Sequence, residues 1–214
     1  MSRSLWFALC VLGAITGAHA AQDVAAGDAA LARFDLGAAR KAYRAAHTQS
    51  PDSYEATWKL ARALADSSTL SKDPVQQKQY CVDAEQLARA AVKLKPDDSK
   101  GHAYLALTVG KLALYEGGKR KVELANEVQK EAERAIKLNN KEDVGYHVLG
   151  VWNREMVELN WVLRKFAELL YGKFPSASLD DAMHDLTRAT QIAPQTVPHR
   201  VELGITFASG RRWQ

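Results

Sequence analysis

The chain has 214 residues, of which 29 are lysine or arginine and 25 are aspartate or glutamate, so its formal net charge is only +4. Charges of both signs alternate along the chain, which is typical of solvated helix faces. The sequence has no basic block with interleaved aromatic residues, so we do not expect a nucleic-acid partner. The length is ample for one domain with a buried core.

The first 20 residues have the organisation of an export signal. Arg3 supplies a positive charge, residues 5–15 form an uncharged apolar run, and residues 18–20 (Ala-His-Ala) resemble a cleavage site. The run is shorter than the roughly 20 residues that a spanning helix needs. We therefore expect a signal peptide at 1–20, cleavage before Ala21, and a periplasmic or secreted mature protein without a membrane span. A retained anchor is the alternative.

Three stretches repeat one spacing of packing residues and breakers. Two alanines lie seven residues apart around a third packing residue, and a proline follows five residues after the second alanine. The copies are Ala39-Tyr43-Ala46-Pro51, Ala84-Ala88-Ala91-Pro96 and Ala182-Leu186-Ala189-Pro194. Small residues seven positions apart lie on the same face of a helix and let two helices approach closely, and proline ends a helix. The spacing predicts an all-α, tetratricopeptide-like α-solenoid of antiparallel helix pairs, with a period of roughly 34 residues and about 4.5 repeats.

The helix breakers divide residues 21–214 into successive repeats. Their expected bounds are about 22–51, 52–96, 99–140 and 143–194, followed by an incomplete repeat at 197–214. The second helix of the last repeat is missing, which favours a truncated chain. Cys81 is the only cysteine in this domain, so we expect packing alone to hold it together.

Three local features of these repeats can be predicted from individual residues. We expect a polar loop at 66–74, because Ser, Asp and Thr are frequent there. Asn139-Asn140 is expected to end its helix where a proline would be usual, because asparagine tolerates the left-handed cap conformation. The first helix of the fourth repeat is predicted to run for about 28 residues, since no breaker precedes Gly172. A break near Asn160 is the open alternative.

Several short motifs also occur in a fixed order between residues 52 and 209. They are Tyr54-Glu55-Ala56-x-Trp58-x-Leu60-Ala61-Arg62-Ala63, Gly101-His102-Ala103, Tyr146-His147-Val148-Leu149-Gly150-x-Trp152, Phe174-Pro175-x-Ala177-Ser178, Asp181-Ala182, Pro194 and Leu203-Gly204. Their order, with the unequal inserts between helices, resembles the regulator of microtubule dynamics family. The resemblance implies helical-repeat proteins linked to microtubules, one of which binds anionic glycerophospholipids at mitochondrial contact sites. With an export signal, this chain resembles a bacterial exported homologue, to which fold and groove transfer rather than the microtubule role.

The first helices of successive repeats are expected to line a concave groove. Counting in phase with the packing residues gives the candidate binding residues Trp58, Arg62, Leu107, Lys111, His147, Val151 and Arg154. An apolar middle flanked by cations suits a ligand with an apolar body and an anionic head. Alternatively, these are ordinary amphipathic faces whose cations pair with neighbours such as Glu55 and Glu155, and Trp58 belongs to the core.

Catalytic signals are missing from the sequence. The six histidines have no metal-ligand spacing, and neither a Gly-rich phosphate loop nor a nucleophile elbow occurs. We therefore expect no enzyme activity, metal or cofactor. The preferred hypothesis is an exported scaffold that binds a protein or peptide partner in its groove, and the alternative is a module that binds or transfers anionic glycerophospholipid.

Overall fold

The computed structural model describes residues 3–171 and 176–211 of the chain. Within those residues it contains helices and no strand. The chain forms two compact units, residues 1–95 and residues 96–214. The first unit contains α1 (Arg3–Ala32), α2 (Leu36–Gln49), α3 (Tyr54–Leu70) and α4 (Pro74–Leu94). The second contains α5 (Ser99–Ala113), α6 (Gly118–Leu138), α7 (Asp143–Val157), α8 (Trp161–Tyr171), α9 (Leu179–Ile192) and α10 (Val197–Arg211).

The repeated packing residues form the helix contacts that their spacing predicts. Eight of them are fully buried at 0% exposure, namely Ala39, Ala46, Ala84, Ala88, Ala91, Ala182, Leu186 and Ala189. In unit 1, α1 packs on α2 and α3 packs on α4; in unit 2, α5 packs on α6 and α7 packs on α9. The predicted all-α, tetratricopeptide-like fold built from helix pairs is therefore confirmed.

Helices α2, α3 and α4 of the first unit begin at side-chain caps. Asp35 accepts a hydrogen bond from the backbone N–H of Ala38 at 2.9 Å, and Ser53 accepts one from Ala56 at 3.3 Å. Asp73 caps α4, whose first residue is a proline. These side chains satisfy backbone donors that have no partner inside the helix. Cys81 lies on α4 with 1% of its surface exposed.

The second unit departs from simple pairing at one helix. The fourth repeat consists of α7 and α9, and the inserted α8 packs on α6, while α10 packs on α9 and α7. Ser178 caps α9 by accepting a hydrogen bond from the Asp181 N–H at 3.0 Å, which is the arrangement of a capping box.

The prediction of one helix of about 28 residues in this repeat is wrong. Helix α7 ends at Val157 and α8 begins at Trp161. The Asn160 side chain accepts a hydrogen bond from the Leu163 N–H at 3.1 Å, which caps α8. Arg164 donates to the carbonyl of Val157 at 2.9 Å and to that of Leu159 at 3.1 Å. The side chains of Asn160 and Arg164 stabilise the break, because they satisfy backbone groups on both sides of it.

One further local prediction is also wrong. Residues 66–70 of the expected loop are helical, and within them the hydroxyl of Ser67 donates to the Ala63 carbonyl at 2.7 Å and accepts from Arg40 at 2.9 Å. Helix α6 ends before Asn139, as predicted, and Asn139 is extended, with φ −147° and ψ 107°. Its side-chain oxygen accepts from the Lys141 N–H at 3.0 Å.

Helix α1 is continuous from Arg3 to Ala32 and passes through the predicted cleavage position before Ala21. The structure has no boundary between elements at this position, and cleavage there stays a prediction about processing. In the described part of the chain, no helix has both the length and the apolar composition needed to span a bilayer.

Candidate binding cavity

A cavity of about 320 Å³ lies within the second unit. Helices α5, α6 and α7 supply most of its wall, Ala167 of α8 and Glu202 of α10 complete it, and Leu159 comes from the break between α7 and α8. Most of the lining residues are apolar, and they include Leu107, Leu114, Val122, Val128, Val148, Val151, Trp152 and Met156. Lys111, Lys121, Arg154, Glu155 and Glu202 add charges of both signs.

Helical periodicity explains why α5 and α7 both contribute to this wall. Residues three or four positions apart lie on one face of a helix. Leu107 and Lys111 follow this spacing on α5, Leu114 continues it directly after the helix, and His147, Val151 and Arg154 follow it on α7. Trp152 is held by a hydrogen bond from its indole N–H to the Ala125 carbonyl, at 2.7 Å, which ties α7 to α6.

Five of the seven candidate binding residues line this one cavity, namely Leu107, Lys111, His147, Val151 and Arg154. Trp58 and Arg62 lie on α3 in the first unit. The Lys59 ammonium stands 5.6 Å from the centroid of the Trp58 ring, and Arg62 Nε lies 3.7 Å from Asp66 Oδ2. The structure therefore brings together the five candidates of the third and fourth repeats.

Arg154 is a buried cation that is paired within the protein. Its guanidinium lies 2.8 Å from a carboxylate oxygen of Glu202 on α10 and 3.3 Å from one of Glu155. It also donates to the Thr206 hydroxyl at 3.3 Å. Burial acts to lower the pKa of Arg154, but hydrogen bonds and charge from Glu202 and Glu155 outweigh it and raise the pKa. Arg154 is therefore paired with a neighbouring carboxylate, Glu155, and with Glu202 of α10.

A histidine pair adjoins the cavity. His199 of α10, only 2% exposed, has its Nδ1 3.0 Å from Nδ1 of His147 and its Nε2 3.0 Å from a carboxylate oxygen of Asp143. Burial, followed by the charges of His199 and Lys111, lowers the pKa of His147 to about 3. His147 therefore stays uncharged at neutral pH.

Sequence reasoning identified His147 but missed His199 and Asp143 as its partners. His199 lies 52 residues further along the chain, so no local spacing connects the two histidines. The one available signal was Asp143 at the start of α7, four residues before His147 and on the same helix face. Among residues 3–171 and 176–211, no three His, Cys, Asp or Glu side chains are placed to hold a metal ion.

Comparison with known proteins adds evidence on ancestry. The family model described as "Regulator of microtubule dynamics protein 1-3" matches residues 24–210. This chain belongs to that family. Within the regulator of microtubule dynamics family, the chain is 31% identical over 141 residues to regulator of microtubule dynamics protein 1 of Mus musculus, covering 65% of this chain and 46% of the mouse protein. It is 30% identical over 164 residues to the Bos taurus protein 1, covering 75% of this chain and 51% of the bovine protein.

The chain thus spans about half the length of the curated relatives it matches. Among solved structures, it is similar to TTC0263, a thermophilic TPR protein of Thermus thermophilus. The TM-score is 0.54 at 16% sequence identity, with 88% of this chain and 99% of that chain covered. This similarity places the regulator family chain in the tetratricopeptide fold, in agreement with the helix pairs.

Proposed function

We propose that this chain is an exported, non-catalytic binding protein whose cavity takes an apolar part of a peptide or protein partner. The observation that supports this most directly is the cavity wall, which combines apolar residues from three helices with a few charged groups. Ligand sites in proteins are typically concave, mostly apolar and about 300–1,000 Å³ in volume. At about 320 Å³, this cavity is at the small end of that range.

Size and charge favour a peptide segment over a phospholipid. A cavity at the small end of the ligand range suits one or two apolar side chains better than two acyl chains. The buried cation Arg154 is already paired with Glu202 and Glu155, and both carboxylates also line the cavity. An anionic head group near Arg154 would therefore meet negative as well as positive charge.

One observation supports anionic glycerophospholipid as a second candidate. Lys111 of α5 and Lys121 of α6 both line the cavity beside its apolar wall. Two ammonium groups next to an apolar space could hold a phosphate while a hydrocarbon chain enters the cavity.

Binding rather than catalysis is proposed from the sequence, which has no metal-ligand spacing of histidines, no Gly-rich phosphate loop and no nucleophile elbow. Export is proposed from the signal-like residues 1–20. An exported chain would not meet microtubules. We therefore propose that it shares the fold of its relatives and not the role in their name.

A peptide-display selection on the immobilised chain tests the peptide proposal. Selected peptides should lose at least about ten-fold in affinity when Val151→Trp fills the cavity, since a lost apolar contact of about 1.4 kcal/mol has that effect. The matched control is Val197→Trp on α10, because Val197 is 56% exposed and does not line the cavity. Equal loss in both variants, or in neither, would contradict binding in the cavity.

Native mass spectrometry of the chain, purified from a bacterial host without detergent, tests the lipid candidate. A co-purifying lipid mass that disappears in Val151→Trp would replace the peptide proposal with the lipid one. A mass of the protein alone leaves the peptide proposal in place.

A further inference from the structure

The first helices of the last four repeats share a leucine and a small residue at their seventh and eighth positions. The pairs are Leu60-Ala61 in α3, Leu105-Ala106 in α5, Leu149-Gly150 in α7 and Leu203-Gly204 in α10. In α3, α5 and α7 the small residue is buried, at 0% exposure for both alanines. These helices pack on the second helices of their own repeats, α4, α6 and α9. In α7, the atoms nearest to a β-carbon added at Gly150 belong to Ala182 and Leu186 of α9.

In α10 the same position is uncovered. Gly204 is exposed, and a β-carbon added to it would meet no atom of the described residues within 4 Å. Residues three or four positions from Gly204 share its side of the helix. Of these, Val201 is 52% exposed, Phe207 is 51% exposed, and Ala208 is exposed as well. We call Val201, Gly204, Phe207 and Ala208 the Gly204 face.

The repeats show which kind of element covers such a face. On α9, the residues next to Gly150 belong to the spacing in which two small residues lie seven positions apart around a third packing residue. A helix satisfies most of its own backbone hydrogen bonds, so it can lie against an apolar surface without leaving unpaired polar groups. The three copies of this spacing, on α2, α4 and α9, are all buried. A second folded copy of the described chain therefore offers none of them for docking.

One position of the Gly204 face indicates the chemistry of the missing partner. Asn153, three residues after Gly150, donates a hydrogen bond to Asp185 of α9 at 3.3 Å within the contact between α7 and α9. Phe207 takes the corresponding place in α10, three residues after Gly204. A phenyl ring cannot donate a hydrogen bond to a carboxylate, and a carboxylate that loses water without a donor is destabilised. The partner helix should therefore have an apolar residue where α9 has Asp185.

We propose that the Gly204 face is a docking site for an amphipathic helix of another protein, which packs on α10 as α9 packs on α7. Counted from its first small residue, that helix has an apolar residue at the fourth position, a packing residue at the fifth and a second small residue at the eighth. Helix recognition by an apolar surface is a common mode of peptide binding. The four residues of the Gly204 face are not among the residues that line the cavity. The inference therefore goes beyond the proposed function and does not rest on it.

A fluorescent peptide with the sequence of residues 178–194 and the change Asp185→Leu is the first probe, and fluorescence anisotropy measures its binding to the full chain. We expect Gly204→Leu to weaken binding at least about ten-fold, because the leucine fills the space that the peptide backbone must enter. The unaltered peptide should also bind at least about ten-fold more weakly, since its carboxylate would lose water beside Phe207. Equal binding by the wild-type chain and Gly204→Leu would overturn the proposal.

Two control variants make this result specific. Gly37→Leu changes another exposed helical glycine, on α2, where an added β-carbon makes only an ordinary contact of 3.6 Å with Asp35. It should bind the peptide as the wild-type chain does. Val151→Trp fills the cavity and should also leave binding unchanged. Loss of binding in Val151→Trp but not in Gly204→Leu would place the peptide in the cavity and overturn the docking site on α10, while the proposed cavity function would stand.

A second measurement does not depend on the free peptide folding. The same helix is fused after Gln214 through a flexible Gly-Ser linker, which raises its local concentration. We expect slower amide hydrogen exchange in α10 of the fused chain, and exchange at the unfused rate when Gly204→Leu is added. If the fused helix leaves exchange in α10 unchanged, no helix docks there and the proposal is wrong.

Sedimentation equilibrium of the chain alone tests the other possible occupant, a second copy. We expect a monomer, because the described copies of the helix spacing are already buried. A dimer that becomes a monomer in Gly204→Leu would assign the Gly204 face to self-association and overturn the proposal of a different partner.

Discussion

Gly150 of α7 lies at a close contact between two helices. A β-carbon at this position would stand 2.7 Å from Leu186 Cγ and 3.0 Å from the Ala182 carbonyl oxygen, both on α9. Distances below 3.0 Å are not tolerated without movement of one partner. The glycine in the Tyr-x2-Leu-Gly motif thus allows the approach of the alanine-lined face of α9.

We therefore expect Gly150→Ala to destabilise the protein by about 1–3 kcal/mol, the usual cost of overpacking a core. The measurement is the urea midpoint of unfolding. Gly204→Ala is the matched control, because Gly204 is also inside a helix but a β-carbon added there would meet no atom within 4 Å. The control should be neutral or more stable by up to about 1 kcal/mol, owing to the better helix propensity of alanine. A larger loss in the control than in Gly150→Ala would contradict this explanation.

The neutral state of His147 predicts a pH-dependent stability. Its pKa falls from the usual 6.5 to about 3 on folding, so the unfolded chain binds the extra proton more readily. Stability is therefore complete above pH 6.5 and decreases as the pH falls towards 3, by at most about 1.4 kcal/mol per pH unit for one group.

Urea unfolding between pH 7 and 4.5 measures this slope, which should be smaller in His147→Gln. Above pH 4.5 the lowered pKa of Asp143 has little influence, because that carboxylate contributes only as pH falls below its usual 3.8. Burial also lowers the pKa of His47 in the first unit, so His47→Gln should remove a separate part of the slope. An unchanged slope in His147→Gln would show that its imidazole is not protonated on unfolding.

At the residue scale, the sequence predicted those contacts that depend on spacing within one helix. Leu107 and Lys111 on α5 and Val151 and Arg154 on α7 line one cavity because their helical phase is readable from neighbouring packing residues. The pairing of Arg154 with Glu202 and of His147 with His199 depends on the docking of α10. Residues that far apart in the chain have no periodic relation, so sequence alone could not predict these contacts.

At the scale of elements, the break between α7 and α8 determines the position of α8. The guanidinium of Arg164 donates to carbonyls at the end of α7, while the Asn160 side chain caps the start of α8. Neither proline nor glycine occurs between these two residues, and arginine is a good helix former. The sequence therefore favoured a continuous helix. In the structure α8 is a separate helix, because it packs on α6.

Asn160→Ala removes the cap of α8 and should cost about 1 kcal/mol. We expect faster amide hydrogen exchange in the first turn of α8, with exchange in α7 unchanged, because the Arg164 contacts to the end of α7 remain. Asn160→Asp is the control, since its carboxylate can still accept the hydrogen bond from Leu163. If exchange increases equally in α7 and α8, the two helices open together and the cap is not specific to α8.

At the scale of the whole molecule, the repeated alanine spacing was sufficient to predict the fold. Each repeat carries the same small residues at positions where helices meet, so one local rule applies along the chain. This rule ends at α8, because no helix is inserted between the paired helices of the other repeats in residues 3–171 and 176–211.

Processing at the N-terminus can be tested on the whole chain. We expect a bacterial host to export the protein and to release a mature form that begins at Ala21, which the intact mass measures. Small residues at positions 18 and 20 are required for cleavage, so the Ala18→Leu, Ala20→Leu double variant should keep its full mass. A full-length mass for the unaltered chain would favour the retained anchor.

The burial of Cys81 gives the first unit a chemical reporter of its own motion. Only 1% of this residue is exposed, so a thiol reagent can react only while α4 is partly detached from its neighbours. Once residues 1–20 are removed, Cys81 is the only thiol of the chain. The rate at which a small reagent alkylates Cys81 therefore measures how often α4 detaches within unit 1, and the measurement needs no engineered label.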